Sequence, residues 1–258
     1  MQKPLILVTN DDGIEAEGIK FLTESLGNSA DIVIVAPSHE QSATSLSITL
    51  RTPLQYKKRA FGNFEAYSVN GTPADSVKMA LSVILKRKPS LIVSGINCGS
   101  NSGRNVLYSG TVSAVIEGAL RGIPGIAFSC WDMQKPNYSL AAEHIPSIVK
   151  YVFEHPLDNG ILLNVNFPSH KAPPFKGIKM TRQGWQYWLE NPQERSHPHG
   201  ESYYWLGSRL SEIEDHDESD TYWLNKGFAT AVPVNVGELT HHETLKRKSH
   251  FESFFLTS

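Results

Sequence analysis

Leu5-Ile6-Leu7-Val8-Thr9-Asn10-Asp11-Asp12-Gly13 is the stretch that decides the fold. A short apolar run without polar alternation reads as a strand covered on both faces, which is the habit of parallel sheets flanked by helices. The run ends at once in an Asn and two adjacent acids. In an open α/β sheet, ligands sit beyond the carboxyl ends of the strands, so the turn Asn10-Asp11-Asp12-Gly13 faces the cleft. Two neighbouring carboxylates repel each other there unless a cation lies between them, and a hard divalent ion with oxygen ligands resolves the conflict. The same residues also suit a plain turn at Asp12-Gly13 with Asp11 capping the following helix. Both readings stand at this point.

The pattern repeats outward from this strand. Residues 31–36, 91–94 and 125–129 are further apolar strands, and residues 14–26, 75–85 and 112–121 carry helical spacing. Strands alternating with helices predict a Rossmann-like, doubly wound, mostly parallel α/β sheet. Residues 46–69 interrupt it with three short β-type runs at 47–50, 54–56 and 65–69, predicting an antiparallel β-hairpin insertion or edge. Residues 161–167 read as the strand that closes the main sheet. Residues 1–168 are therefore expected to form the α/β catalytic domain. Residues 169–258 are polar and rich in Pro, His, Trp and Tyr, and are expected to be a C-terminal extension or oligomerisation arm, packed on the first part or swapped between subunits. Within it, residues 228–236 read as a final strand and 243–253 as a terminal helix. Residues 212–220 hold six acids in nine positions, the composition of an exposed loop.

Composition narrows the function. The chain has 258 residues and a formal net charge of −2, so it carries no basic footprint for duplex nucleic acid or an anionic membrane. No apolar run approaches the roughly 18 residues of a membrane span, and the first run is too short for a signal peptide. Two cysteines, Cys98 and Cys130, make no disulfide framework and suit a reducing compartment. A cytoplasmic protein is expected.

Three more strand or helix ends carry candidate chemistry. Ala36-Pro37-Ser38-His39-Glu40-Gln41-Ser42 follows the second strand, where Ser42 offers a neutral oxygen. Ser94-Gly95-Ile96-Asn97-Cys98 follows another, where Asn97 offers an amide oxygen suited to a hard cation, or simply turns the chain. Tyr108-Ser109-Gly110-Thr111-Val112 opens a helix with two hydroxyls and free N–H groups, which suits a phosphate or a simple cap. Cys98 has no neighbouring His to activate it and reads as a bystander thiol. Taken together, an all-oxygen ligand set beside a phosphate cradle is the layout of metal-assisted phosphoryl hydrolysis.

At these residues the sequence resembles the SurE family, the survival proteins that act as metal-dependent 5′-nucleotidases. The resemblance rests on Thr9-Asn10-Asp11-Asp12-Gly13, Gln41-Ser42 with Ser47-Ile48-Thr49, Asn70-Gly71-Thr72-Pro73-Ala74-Asp75, Ser94-Gly95-Ile96-Asn97 with Gly99 and Asn101, and Tyr108-Ser109-Gly110-Thr111-Val112 with Glu117-Gly118. It implies one divalent cation per subunit (Mg, Mn or Co) on Asp11, Asp12, Ser42 and Asn97. Asn101, Ser109, Gly110 and Thr111 would hold the phosphate of a nucleoside 5′-monophosphate. By the same resemblance Asp11, Asp12 and Asn97 are catalytic, the protein is cytoplasmic, and C-terminal arms join subunits into a homodimer or homotetramer. The chain departs from the family in having Gln41-Ser42-Ala43 for Arg-Ser-Gly, and His197-Pro198-His199-Gly200 for Asp-Pro-Arg-Gly. Two rivals are weaker. A phosphatase with an aspartyl nucleophile wants Asp-x-Asp after the strand, and a nucleotide- or metal-binding receiver-like regulatory module without turnover wants a phospho-accepting Asp where Asn97 stands.

Overall fold

In the computed structural model, which describes residues 3–27, 30–213 and 215–255, Leu5–Thr9 is strand β1 and is buried throughout. Its side chains alternate between two cores. Ile6 and Val8 join one, and Leu5 and Leu7 join the other. β2 (Asp31–Pro37) lies parallel to it on one side. The elements of the insertion follow as β3 (Tyr56–Arg59) and β4 (Glu65–Val69). β5 (Leu91–Cys98) pairs parallel with β1 on the other side, followed outward by β6 (Gly125–Cys130) and β7 (Ile161–Phe167). The order β4-β2-β1-β5-β6-β7 is wholly parallel, and chain order reverses between β1 and β5. That reversal is the topological switch point, where an open α/β sheet leaves a crevice.

Helices cover both faces. α1 (Glu17–Leu26) and α4 (Tyr138–Glu154) bury Ile19, Leu22, Ala141, Ile145 and Val149 against one side. α2 (Pro73–Met79) and α3 (Gly110–Ala119) bury Val77, Val112 and Val115 against the other. Each fully buried Ile, Leu or Val contributes on the order of 2 kcal/mol. The expected helix over 75–85 is α-helical only to Met79 and continues as a π turn over Ala80–Ile84. α4 went unread in the sequence because Pro146 sits inside it, yet its buried positions keep helical spacing.

Two expectations about the strands are corrected and one holds. Residues 47–50 form no strand. The Thr49 N–H and hydroxyl donate to the Asp75 carboxylate at 3.0 and 2.6 Å, and the Thr72 hydroxyl donates to the Ser47 carbonyl at 2.7 Å. Side chains of the α2 capping box thus satisfy this backbone where a ladder was expected. Residues 65–69 do belong to the expected antiparallel hairpin at the sheet edge: β3 pairs antiparallel with β4, and β4 joins the sheet parallel to β2. β7 does not close the sheet. β13 (Ala229–Asn235) pairs antiparallel with β7, and β8 (Ile178–Met180) extends the sheet parallel to β13. The residues after 168 therefore share the main sheet.

Two smaller pairings complete the strands, β9 (Trp188–Leu189) with β12 (Arg209–Leu210), and β10 (Gln193–Ser196) with β11 (Ser202–Trp205). The second is a ribbon exposed along its whole length. α5 (Asp220–Asn225) packs on β13. The acidic stretch 212–220 is not simply an exposed loop. The Asp215 side chain is 3% exposed and Asp220 fully buried, because both collect backbone N–H groups; Glu214 lies outside the described residues. The expected terminal helix is two exposed pieces, α6 (His242–Leu245) and α7 (Lys248–Phe255). Among the described residues, no helix is long and apolar enough to cross a membrane.

Candidate active site

The turn after β1 and the end of β5 meet at the switch point. Asp11 is buried, and its carbonyl accepts from Gln41 N at 2.7 Å, which draws the loop after β2 over the turn. One Asp11 carboxylate oxygen accepts from the Thr111 hydroxyl at 2.6 Å. Gly110 sits directly over this carboxylate: a Cβ there would come 2.7 Å from that of Asp11, so only glycine lets α3 approach. Ser109 caps α3, its hydroxyl oxygen accepting from Val112 N at 3.1 Å. The Ser109-Gly110-Thr111 start of α3 is therefore built onto Asp11, carboxylate and helix terminus forming one unit.

Asp12 is bound from β5, where Cys98 N donates to its carboxylate at 3.4 Å. Asn97, next along, donates its amide N–H to the Gly99 carbonyl at 2.8 Å, and its amide oxygen receives no donor among the described residues. Burial, opposed by the Thr111 hydrogen bonds, pushes Asp11 up to about 6. Burial and then the charge of Asp11 push Asp12 up to about 7. Glu40 adds negative charge beside both. No cation pairs with either acid among the described residues.

Ser42 and Asn101 stand differently from the other candidates. Ser42 is exposed and donates its hydroxyl to Glu40 at 2.5 Å, while its neighbour Gln41 carries the tie to Asp11. Ala43 after it adopts φ +56°, a left-handed conformation in which the family's glycine is at ease. Asn101 is buried, and its amide donates to Ser129 at 2.8 Å and to Thr111 at 3.3 Å. A relay thus runs from Asn101 through Thr111 to Asp11. Asn101 is itself held by two residues the sequence reading missed: its N–H donates to the Asn166 side chain at 2.8 Å, and its carbonyl accepts from Asn164 at 2.9 Å. Both are fully buried on β7. Alternating asparagines in an otherwise apolar strand were the signal, since polar groups are buried only where they find partners.

Two carboxylates with raised affinity for a proton, the amide oxygens of Asn97 and of buried Asn10 without donors, and no paired cation are what a hard divalent ion would neutralise. Among the described residues no three of His, Cys, Asp and Glu gather around one point, so a cation here would draw on neutral oxygens as well. Fold and site together define a doubly wound α/β protein with an acidic switch-point cleft. Comparison gives this class a family: the family model described as survival protein SurE matches residues 6–190. The 5′-nucleotidase SurE of Protochlamydia amoebophila is 55% identical over 256 residues, covering 98% of each chain. That of Caldanaerobacter subterraneus subsp. tengcongensis is 40% identical, over 98% of this chain and 99% of its own. The crystal structure of the SurE protein from Aquifex aeolicus superposes with a TM-score of 0.82 at 35% identity, over 96% of this chain and 100% of that one. The chain belongs to the SurE family.

Proposed function

We propose that this chain hydrolyses nucleoside 5′-monophosphates to nucleoside and phosphate, with Asp11, Asp12, Ser42 and Asn97 as the residues that would hold one divalent cation, Mg, Mn or Co. The observation that carries the reading is the unit of Asp11 and the start of α3, which sets an acidic pair against the N-terminus of a helix. Relatives of similar length bearing the name 5′-nucleotidase support it. A bound cation supplies acidification of water and neutralisation of phosphoryl charge. Asp11 and Asp12 hold the charge that recruits it. The positive N-terminal end of α3 at Gly110 and Thr111 would face the transferred group, and Asn101 keeps Thr111 in register. Asp11 and Asp12 are occupied as ligands, and Ser109 spends its oxygen on the helix cap, so water is the nucleophile in this reading.

The test is phosphate release from AMP with each cation. Asp12→Asn should lose roughly a hundredfold in rate with the fold intact, because the ion loses a charged ligand. An isotopically chiral phosphate ester should show inversion at phosphorus. Absence of turnover with all three cations sinks the activity, and net retention sinks the water mechanism. The exposed ribbon β10–β11, with Tyr203, Tyr204 and Trp205, and the exposed Phe251, Phe254 and Phe255 of α7 support a homodimer or homotetramer built through C-terminal arms. Two free thiols support a cytoplasmic setting.

A further inference from the structure

The edge of the sheet holds a cluster of cations that the carboxylate site does not use. β3 reads Tyr56-Lys57-Lys58-Arg59, and strand alternation sends Lys57 and Arg59 to one face and Tyr56 and Lys58 to the other. Lys57 and Arg59 line a cavity of about 220 Å³ with His39, Gln55, Ser68 and Asn70. No carboxylate lines it, and neither Lys57 nor Arg59 forms an ion pair among the described residues. The cavity is organised from beneath. Ser68, only 3% exposed, accepts from Arg59 Nε at 2.9 Å and so aims the guanidinium. The Asn70 amide oxygen accepts from Gln55 N at 2.6 Å. Ser38 N donates to the Val69 carbonyl at 2.7 Å. Two more bonds join this region to the acidic turn, Ile14 N to the Pro37 carbonyl at 2.9 Å and Gln41 N to the Asp11 carbonyl at 2.7 Å. Residues 38–40, between them, adjoin both the cavity and the turn.

We propose that this cavity is a second oxyanion site, taking a phosphoryl group other than the one the acidic site hydrolyses. A guanidinium fork, an ammonium and the Gln55 side-chain amide match a tetrahedral oxyanion, while Asn70 spends its amide on Gln55 N and the Pro53 carbonyl. Charge that merely protects a sheet edge needs no aimed guanidinium, and Lys58 on the opposite face serves that need. The oxyanion is either the second phosphate of a doubly phosphorylated nucleotide substrate or free phosphate acting as an effector. The substrate arm rests on the nucleotidase reading; the binding itself does not.

Inorganic phosphate is titrated calorimetrically into the full chain without added metal. Lys57→Ala and Arg59→Gln should each weaken binding about tenfold or more, with folding checked by circular dichroism, and Lys58→Ala should leave it unchanged. Failure of the wild type to bind millimolar phosphate, equal affinity across these variants, or loss only in Thr111→Val overturns the site; equal affinity assigns the cluster to edge protection alone. Kinetics separate the sources. If the site takes a second phosphate, Lys57→Ala raises KM for a nucleoside 3′,5′-bisphosphate about tenfold and spares the 5′-monophosphate. If it takes free phosphate, neither KM moves and phosphate no longer alters turnover. A chain without nucleotidase activity would leave the calorimetric result intact, so the two readings fail separately.

Discussion

Thr111 joins three parts of the site through one hydroxyl, giving its proton to Asp11 at 2.6 Å and receiving the Asn101 amide at 3.3 Å. Thr111→Val keeps the shape and removes both bonds, leaving a buried carboxylate short of a donor. The expected cost is about 1–3 kcal/mol in urea unfolding and roughly a hundredfold in turnover of AMP. Unchanged turnover would show that the relay does not position the carboxylate. Cys98 is the contrasting residue. Its backbone N–H serves Asp12, whereas its thiol donates to the Met133 carbonyl at 2.8 Å, and burial holds the thiol above its ordinary pKa. Cys98→Ala keeps the backbone bond, so activity should stay within several-fold of wild type. A loss of about a hundredfold would assign the thiol a role that its poor match to hard cations argues against. At this scale the acidic pair, Gly110 and Thr111 were legible, because their types and their place after a strand or before a helix carry the chemistry. The two β7 asparagines were not, since nothing local says which strand neighbours which.

Among elements, the segment that follows Asn101 is clasped by the C-terminal third. Gly103, at φ +59°, donates its N–H to Asp220 at 3.0 Å, and Arg104 N donates to the Gln186 carbonyl at 2.7 Å. Asp220 also accepts from Gly184 N at 2.9 Å and Thr221 N at 2.8 Å. Burial, outweighing these donors, pushes Asp220 up to about 6 from an ordinary 3.8. The folded state therefore holds this proton more tightly than the unfolded chain does. Its stabilising contribution is complete below about pH 4 and is lost as pH rises through about 6, by up to about 3 kcal/mol. Urea melts across that window should slope downward in the wild type and less steeply in Asp220→Asn, which should also be weaker overall. Parallel slopes would refute the assignment. Strand positions of the central sheet were readable from apolar runs, which tolerate few alternatives. Residues 47–50 and 212–220 were not, because their backbone and carboxylate partners are side chains and N–H groups far along the chain.

For the whole molecule, the exposed aromatics of the β10–β11 ribbon and of α7 predict an assembly. Light scattering at micromolar protein should give at least twice the monomer mass, and Tyr204→Ser with Trp205→Ser should lower it; a monomeric wild type would refute the arms. The central sheet shows how composition and pattern can give the architecture while leaving the ends of the chain open. β7 reads as an edge until β13 arrives from later sequence to cover it. The clasp between Gly103 and Asp220 spans 117 residues and bears on time as well as space. A ribosome adding about 5–20 residues per second makes the acidic turn roughly ten to forty seconds before the residue that fastens the neighbouring loop. Until then the growing polypeptide holds its acids beside a loop that the C-terminal third has not yet fastened, so the surroundings of the acidic turn are completed only as synthesis nears its end.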